Sequence, residues 1–219
     1  MPQPLVSCIT PTFNRREFFP LAVRHFLAYD YSPLEWVIVD NGTDAIRDML
    51  PEDSRIRYFP LSGARLTHGA LMNECCQRTS GDFIITHDDD DWFSRDRVSK
   101  QIMPMIQNPN LMVSGTSQLY YMKPPIQKAF RYVNLTKMTW IGAIAFRKSV
   151  WDTYKFNPKP HGADYDFLQK VHPSQWHDLK DTSVVIATAH PSNAGPKSMP
   201  SPSFVEEPWA TVEKIMEGR

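Results

Sequence analysis

Four consecutive aspartates, Asp88-Asp89-Asp90-Asp91, are the residues of this chain best suited to chemistry. They close the apolar run Phe83-Ile84-Ile85 and are followed at once by Trp92-Phe93, so the backbone that carries them is partly buried. Like charges packed into such a place repel one another and lose hydration, and a bound cation compensates both. Hard divalent ions take carboxylate oxygens and leave positions for phosphate oxygens, so the cluster points to Mg²⁺ or Mn²⁺ held against a phosphorylated ligand. Pro11-Thr12-Phe13-Asn14 and Asp40-Asn41-Gly42 are polar turns that end apolar runs in the same way.

The elements that must position these turns follow from pattern. Leu5–Thr10, Glu35–Val39 and Asp82–His87 read as strands buried on both faces, and Arg55–Phe59 alternates as another. Between them, Glu17–Tyr29 places Phe18, Phe19, Ala22, Val23, Phe26 and Leu27 at helical spacing. Thr43 is the expected cap of a short helix through Leu50, stopped by Pro51. Thr67–Thr79 reads as a helix ended by Ser80-Gly81. Ser94 is the expected N-cap, with Asp96 in the first turn, of a helix through Gln107. Strand–helix alternation of this kind builds a parallel sheet with helices on both faces, and such sheets bind ligands beyond the carboxyl ends of their strands. The polar turns all lie at those ends and converge on one crevice.

The second half is less regular. Strands are predicted at Leu111–Thr116, Ser117–Met122, Ala129–Val133, Trp140–Phe146 and Ser183–Ala189. Helices are predicted at Lys148–Tyr154, at Asp164–Val171 after Gly162, and in the tail at Val205–Met216. The length of 219 residues suits one domain. Lys and Arg number 24 and so do Asp and Glu, which removes any bulk attraction to phosphate backbones or anionic lipid. Non-specific nucleic-acid binding is therefore disfavoured. No apolar run nears the ~20 residues of a spanning helix, and no signal-peptide pattern opens the chain, so the expectation is a cytoplasmic protein without stable membrane insertion. Cys8, Cys75 and Cys76 are odd in number, two of them adjacent, which argues against a disulfide scaffold and shows no zinc-ligand spacing.

On these motifs the chain resembles a family 2 glycosyltransferase. Val6-Ser7-Cys8-Ile9-Thr10-Pro11-Thr12-Phe13-Asn14-Arg15 is similar to the family's opening strand and turn, and Trp36 through Thr43 to its second strand and acidic turn, with Asn41 in place of an acid. The stretch from Asn73 through Ile84 resembles the helix and strand before the metal motif, and His87 through Asp91 stands where that motif falls. Gly162-Ala163-Asp164 resembles the Gly-Glu-Asp block beside the acceptor, with Ala163 replacing the Glu, and His190-Pro191-Ser192-Asn193 resembles a late metal-binding stretch.

The resemblance implies a GT-A fold: an α/β, Rossmann-like mixed central sheet with helices on both faces. Residues 1–100 would form the nucleotide-sugar half, 101–195 the acceptor half and 196–219 a tail. It further implies a nucleotide-sugar donor, with uridine the favoured base, bound by Pro11, Thr12, Phe13, Asn14, Asp40, Asn73, Asp88 and Asp89, with Arg65 near the diphosphate. Mn²⁺ or Mg²⁺ would be held by Asp90 and His190, while Asp91 orients its neighbours. Asp164 would be the general base of an inverting transfer to a glycan, glycoconjugate or other hydroxyl-bearing acceptor, and Asp166 would serve structure. The competing readings are a nucleotidyltransferase and a catalytically inactive nucleotide-sugar-binding module.

Overall fold

The computed structural model describes residues 2–132, 143–193 and 203–218. A large sheet is built from β1 (Val6–Thr12), β2 (Leu34–Asp40), β3 (Ile56–Pro60), β4 (Phe83–Thr86), β6 (Val113–Gly115), β9 (Ala145–Arg147) and β10 (Trp176–Asp178), in the order β10-β6-β9-β4-β1-β2-β3. The β4-β1-β2-β3 block is parallel, whereas β9 runs antiparallel to both β4 and β6, so the sheet is mixed.

The unbroken apolar runs of β1, β2 and β4 are explained by burial on both faces, since successive side chains alternate between them. Cys8, Trp36, Ile38 and Ile85 point to the side packed with Phe19 and Phe26 of α1 (Phe19–Ala28) and Val98, Ile102 and Met105 of α3 (Arg97–Gln107). Ile9, Val37, Val39 and Ile84 meet the opposite layer, made by α2 (His68–Gln77), α4 (Lys148–Thr153) and α5 (Ala163–Gln169).

A smaller sheet stands beside the first: β5 (Trp92–Phe93), β7 (Tyr120–Lys123), β8 (Lys128–Tyr132), β11 (Val185–Thr188) and β12 (Phe204–Glu207), in the order β12-β8-β7-β11-β5. Trp92, Tyr120, Met122, Ala129 and Ile186 pack there with Val212 of α6 (Trp209–Glu217).

Several local expectations are corrected. Only a single 3-10 turn, Arg47–Met49, forms before Pro51, because the amides of Thr43 and Asp44 are held by Asn14 Oδ1 at 2.8 and 3.0 Å rather than starting a helix. Asp96, not Ser94, stands at the N-cap of α3. Ser94 continues the β5 pairing through its N–H to Val184 O and donates its hydroxyl to Asp96 Oδ1 at 2.7 Å. The tail is divided by Pro208: the residues before it pair with β8 as β12, and the helix begins only after it, where a missing N–H costs nothing. Strand β10 escapes pattern reading because Trp-His-Asp has no apolar run. The predicted strand Trp140–Phe146 has its first residues outside the described ones, as does Val133 at the end of the predicted Ala129–Val133.

Candidate active site

Strands β1, β2 and β4 end together at the carboxyl edge, where Thr12 is in register with Asp40 and Ile9 with Thr86. Asn14 takes a left-handed conformation, φ 54°, which an Asn tolerates better than most residues. Its side chain ties the first turn to Thr43 and Asp44. Gly42 is required for this closeness: a Cβ there would lie 2.6 Å from Asn14 Oδ1 and 3.0 Å from Asp40 Oδ1. Asp40 is buried, its Oδ1 accepting from Gly42 N and its Oδ2 from the Tyr58 hydroxyl, each at 2.8 Å. Asn41, the departure from the acidic pattern, accepts Leu66 N at 2.7 Å and so holds the 61–66 loop. That loop lays the Arg65 guanidinium over the Phe13 ring, 4.2 Å from its centroid, so Arg65 belongs to the Phe13 turn.

The aspartate tip divides its labour. Asp91 is buried and accepts Thr188 N at 2.8 Å, fastening the tip to the end of β11. Asp89 accepts the Thr12 hydroxyl at 2.8 Å. Asp90 Oδ2 lies 2.9 Å from His190 Nε2, 3.2 Å from Asn193 Nδ2 and 3.3 Å from Arg15 Nη1. Arg15 Nη1 is also 3.3 Å from His190 Nε2, and its other nitrogen donates to Ser192 O. The imidazole lies against Phe18, ring centroids 4.4 Å apart, and a cavity of about 250 Å³ opens beside it, bordered by Lys123 and Asn193. Burial first, then the neighbouring aspartates, pushes Asp88 well above the usual carboxylate range. Burial and Asp90 raise Asp89 likewise, opposed by Arg15 and Thr12. Below the tip, Arg97 is fully buried, donating to Thr86 O at 2.6 Å and Gln101 Oε1 at 2.8 Å, and supplies positive charge from inside. His87 is a core residue: Tyr29 OH is 2.8 Å from its Nδ1, and burial holds its pKa well below the usual value.

The tip is thus short of positive charge, and a carboxylate oxygen and an imidazole nitrogen converge at its rim. A carboxylate oxygen beside an imidazole nitrogen is a donor pair that suits a divalent cation. Among the described residues no group of three or more His, Cys, Asp or Glu side chains forms a cage. A cation held by two protein donors would keep positions for water and phosphate oxygens.

Asp164 reaches the same edge from the other layer. Helix α2 starts where the chain leaves the carboxyl edge after β3, and α5 abuts its first turn: a Cβ on Gly69 would be 2.9 Å from Ala163 Cβ. Ala163 is fully buried there. Asp164 is half-buried, accepts Tyr165 N at 3.1 Å, and bears electrostatically on His68, whose pKa burial lowers. Asp166 is held by Lys159 at 2.6 Å and Asn157 at 2.8 Å. Asn73, expected at the nucleotide sugar, is instead engaged by the 151–156 segment. Its amide donates to Phe156 O at 2.9 Å and accepts from Trp151 Nε1 at 2.9 Å and Phe156 N at 3.0 Å, so both ends bolt α2 to the 151–156 segment.

The family model for glycosyl transferase family 2 matches residues 7–154, a stretch that contains the Phe13 turn, the Asp40 turn and the aspartate tip. The chain belongs to glycosyl transferase family 2. A Haemophilus influenzae protein described as an uncharacterized glycosyltransferase is 27% identical over 120 residues, 52% of this chain and 48% of that protein. This family 2 chain spans about half the length of the curated relatives it matches. Its GT-A fold is shared with TarS of S. aureus in complex with UDP-GlcNAc, TM-score 0.66 at 16% identity, covering 90% of this chain and 62% of that one. It is shared equally with a mannosyltransferase of Pyrobaculum calidifontis in complex with GDP-Man and Mn²⁺, TM-score 0.67 at 16% identity, covering 90% and 59%.

Arg15, Tyr58, Arg97 and Asn193 are the site residues that sequence reasoning left without a role. Arg15 and Asn193 each adjoin a motif, and that adjacency was the available signal. Tyr58 and Arg97 sit in ordinary strand and helix patterns, where nothing local marks them.

Proposed function

We propose that this chain is a metal-dependent glycosyltransferase that moves a sugar from a nucleotide diphosphate-sugar, uridine favoured, to the hydroxyl of a glycan, glycoconjugate or other acceptor, with inversion. One observation carries the reading: Asp90 and His190, 100 residues apart in sequence, meet at 2.9 Å on the acid tip where the donor turns converge. Asp90 and His190 would hold Mn²⁺ or Mg²⁺, and a bound cation of this kind neutralises charge developing on a departing diphosphate. Arg15, already against both side chains, is the protein's own cation for the same oxygens. Phe13, Asn14 and Asp40 receive base and ribose, with Asp40 accepting a base N–H. Asp88, Asp89 and Thr12 face the ribose and diphosphate. Asp164 takes the acceptor proton late, as the glycosidic bond opens toward an oxocarbenium-like centre, so an ordinary carboxylate suffices as base.

The test is a thermal-shift panel of nucleotide sugars with and without Mn²⁺, on the wild type and on Asp90→Ala. A donor at a hundred times its Kd contributes about 2.7 kcal/mol, a shift of roughly 5–10 °C for a chain of this size. The wild type should show that shift with a uridine sugar only when Mn²⁺ is present, and Asp90→Ala should lose it together with donor hydrolysis. No metal-dependent shift with any nucleotide sugar would refute the proposal.

A further inference from the structure

Fold likeness does not choose the donor base, because neighbours of equal likeness carry uridine and guanosine donors. The choice falls to the group that meets the base edge. Asp40 is 2% exposed, so a base reaches only the rim of its carboxylate. A carboxylate offers about four acceptor positions, two on each oxygen. Gly42 N occupies one on Oδ1 and the Tyr58 hydroxyl one on Oδ2, both at 2.8 Å. Tyr58 comes from β3, in register with Ile38 of β2, and its ring packs against the α1-side core, so the hydroxyl is delivered from a rigid strand. Burial, and then the bond to Asp40, pushes its pKa up to about 12.

The nucleobases differ in what they bring to such a rim. Uracil presents one donor, N3–H, between two carbonyls. Guanine presents two adjacent donors, N1–H and the N2 amino group, which together want both carboxylate oxygens on one side. Cytosine presents a bare ring nitrogen at the central position, which a carboxylate repels. We propose that Tyr58 is a positioning residue that sets donor-base specificity: by occupying one of the two positions on Asp40 Oδ2 it denies guanine's paired donors a side on which both oxygens are open, while one position still takes the single N–H of uracil. This rests on the nucleotide-sugar reading and deepens it from a favoured base to a residue that enforces the choice.

The experiment is calorimetric titration of the wild type and Tyr58→Phe with UDP, GDP, CDP and inorganic pyrophosphate, all with Mn²⁺. The wild type should bind UDP at least about tenfold tighter than GDP, the discrimination one hydrogen bond supports, with CDP weakest. Tyr58→Phe keeps the ring and removes one oxygen. It should cut the UDP-to-GDP ratio about tenfold, mainly by gaining GDP, while pyrophosphate binding stays the same. A merely structural Tyr58 would weaken all the nucleotides together and leave the ratio alone. An unchanged ratio in Tyr58→Phe overturns the proposal, as does a wild type that prefers GDP, a measurement that needs no variant. Failure of the wild type to bind any of these four ligands would instead bring down the nucleotide-sugar reading itself.

Discussion

At the amino edge of the large sheet, Pro4, Asp82, Phe83, Arg147 and Lys148 border a cavity of about 570 Å³, larger than the one of about 250 Å³ beside His190 at the carboxyl edge. The cations of the amino edge are spent on carbonyls. Arg147 donates to Leu111 O at 2.9 Å and Met105 O at 2.6 Å, and Lys148 to Thr79 O at 2.5 Å. The carboxyl edge keeps its charge in conflict: Asp88 and Asp89 are pushed upward by burial and by each other's neighbours, and one nitrogen of buried Arg97 has no hydrogen-bond partner. On the proposed function, cavity size is therefore a poor guide to the ligand edge. Charge that the fold leaves uncompensated marks the edge built to receive a ligand.

That contrast can be broken at either edge. The largest effect is expected from Asp164→Asn, which should cut transfer by about 10²–10⁴-fold, the usual worth of a general base, while donor affinity by titration stays within about threefold. A collapse of donor affinity would make Asp164 a binding residue instead.

Next comes His25, which packs edge-on against Trp92 and Phe93 just beyond the tip; its ring nitrogens have no hydrogen-bond partner, and burial lowers its pKa to about 4. Its folded pKa lies below the unfolded value of 6.5, so its contribution is intact above that pH and is lost as pH falls toward 4. The loss is up to about 3 kcal/mol. The stability difference between wild type and His25→Leu, from urea melts, should shift by that amount in favour of the variant between pH 7 and pH 4; a constant difference would remove His25 as the acid-sensitive group.

At the amino edge, Arg147→Met should cost about 2 kcal/mol of stability for its lost charge-assisted bonds yet leave kcat unaltered at a temperature where the variant is folded. A change in kcat would join the edges that the comparison separates. The smallest effect belongs to Arg15→Met. With the guanidinium gone from 3.3 Å of both Asp90 and His190, Mn²⁺ alone should bind several-fold tighter by titration, while Mn²⁺ with UDP should gain less or weaken. Equal loss in both would mean that Arg15 only braces the loop.

Much of this architecture was legible in advance because its signals are local. Runs such as Trp36-Val37-Ile38-Val39 can be buried on both faces only in a covered sheet, and each ends in a polar turn whose position follows from the strand. The convergence of Thr12, Asp40 and the aspartate tip came from that rule alone. Elements whose pairing outweighs their composition were hidden, as in β10, whose Trp-His-Asp pairs with β6, and in the strand before Pro208. The engagement of Asn73 by the 151–156 segment was hidden because a motif records which residue type stands at a position, not which way its helix turns it.

From the amino-acid sequence by itself came the layered α/β architecture, the carboxyl-edge location of the site and the excess of acid there, since hydrophobic periodicity and strand ends are properties of short stretches. Only the tertiary structure decided which atoms share the acid. His190 and Arg15 reach Asp90, Tyr58 holds Asp40, and Arg97 lies beneath the tip. These contacts join segments far apart in the chain, and their distances depend on packing that no local pattern encodes.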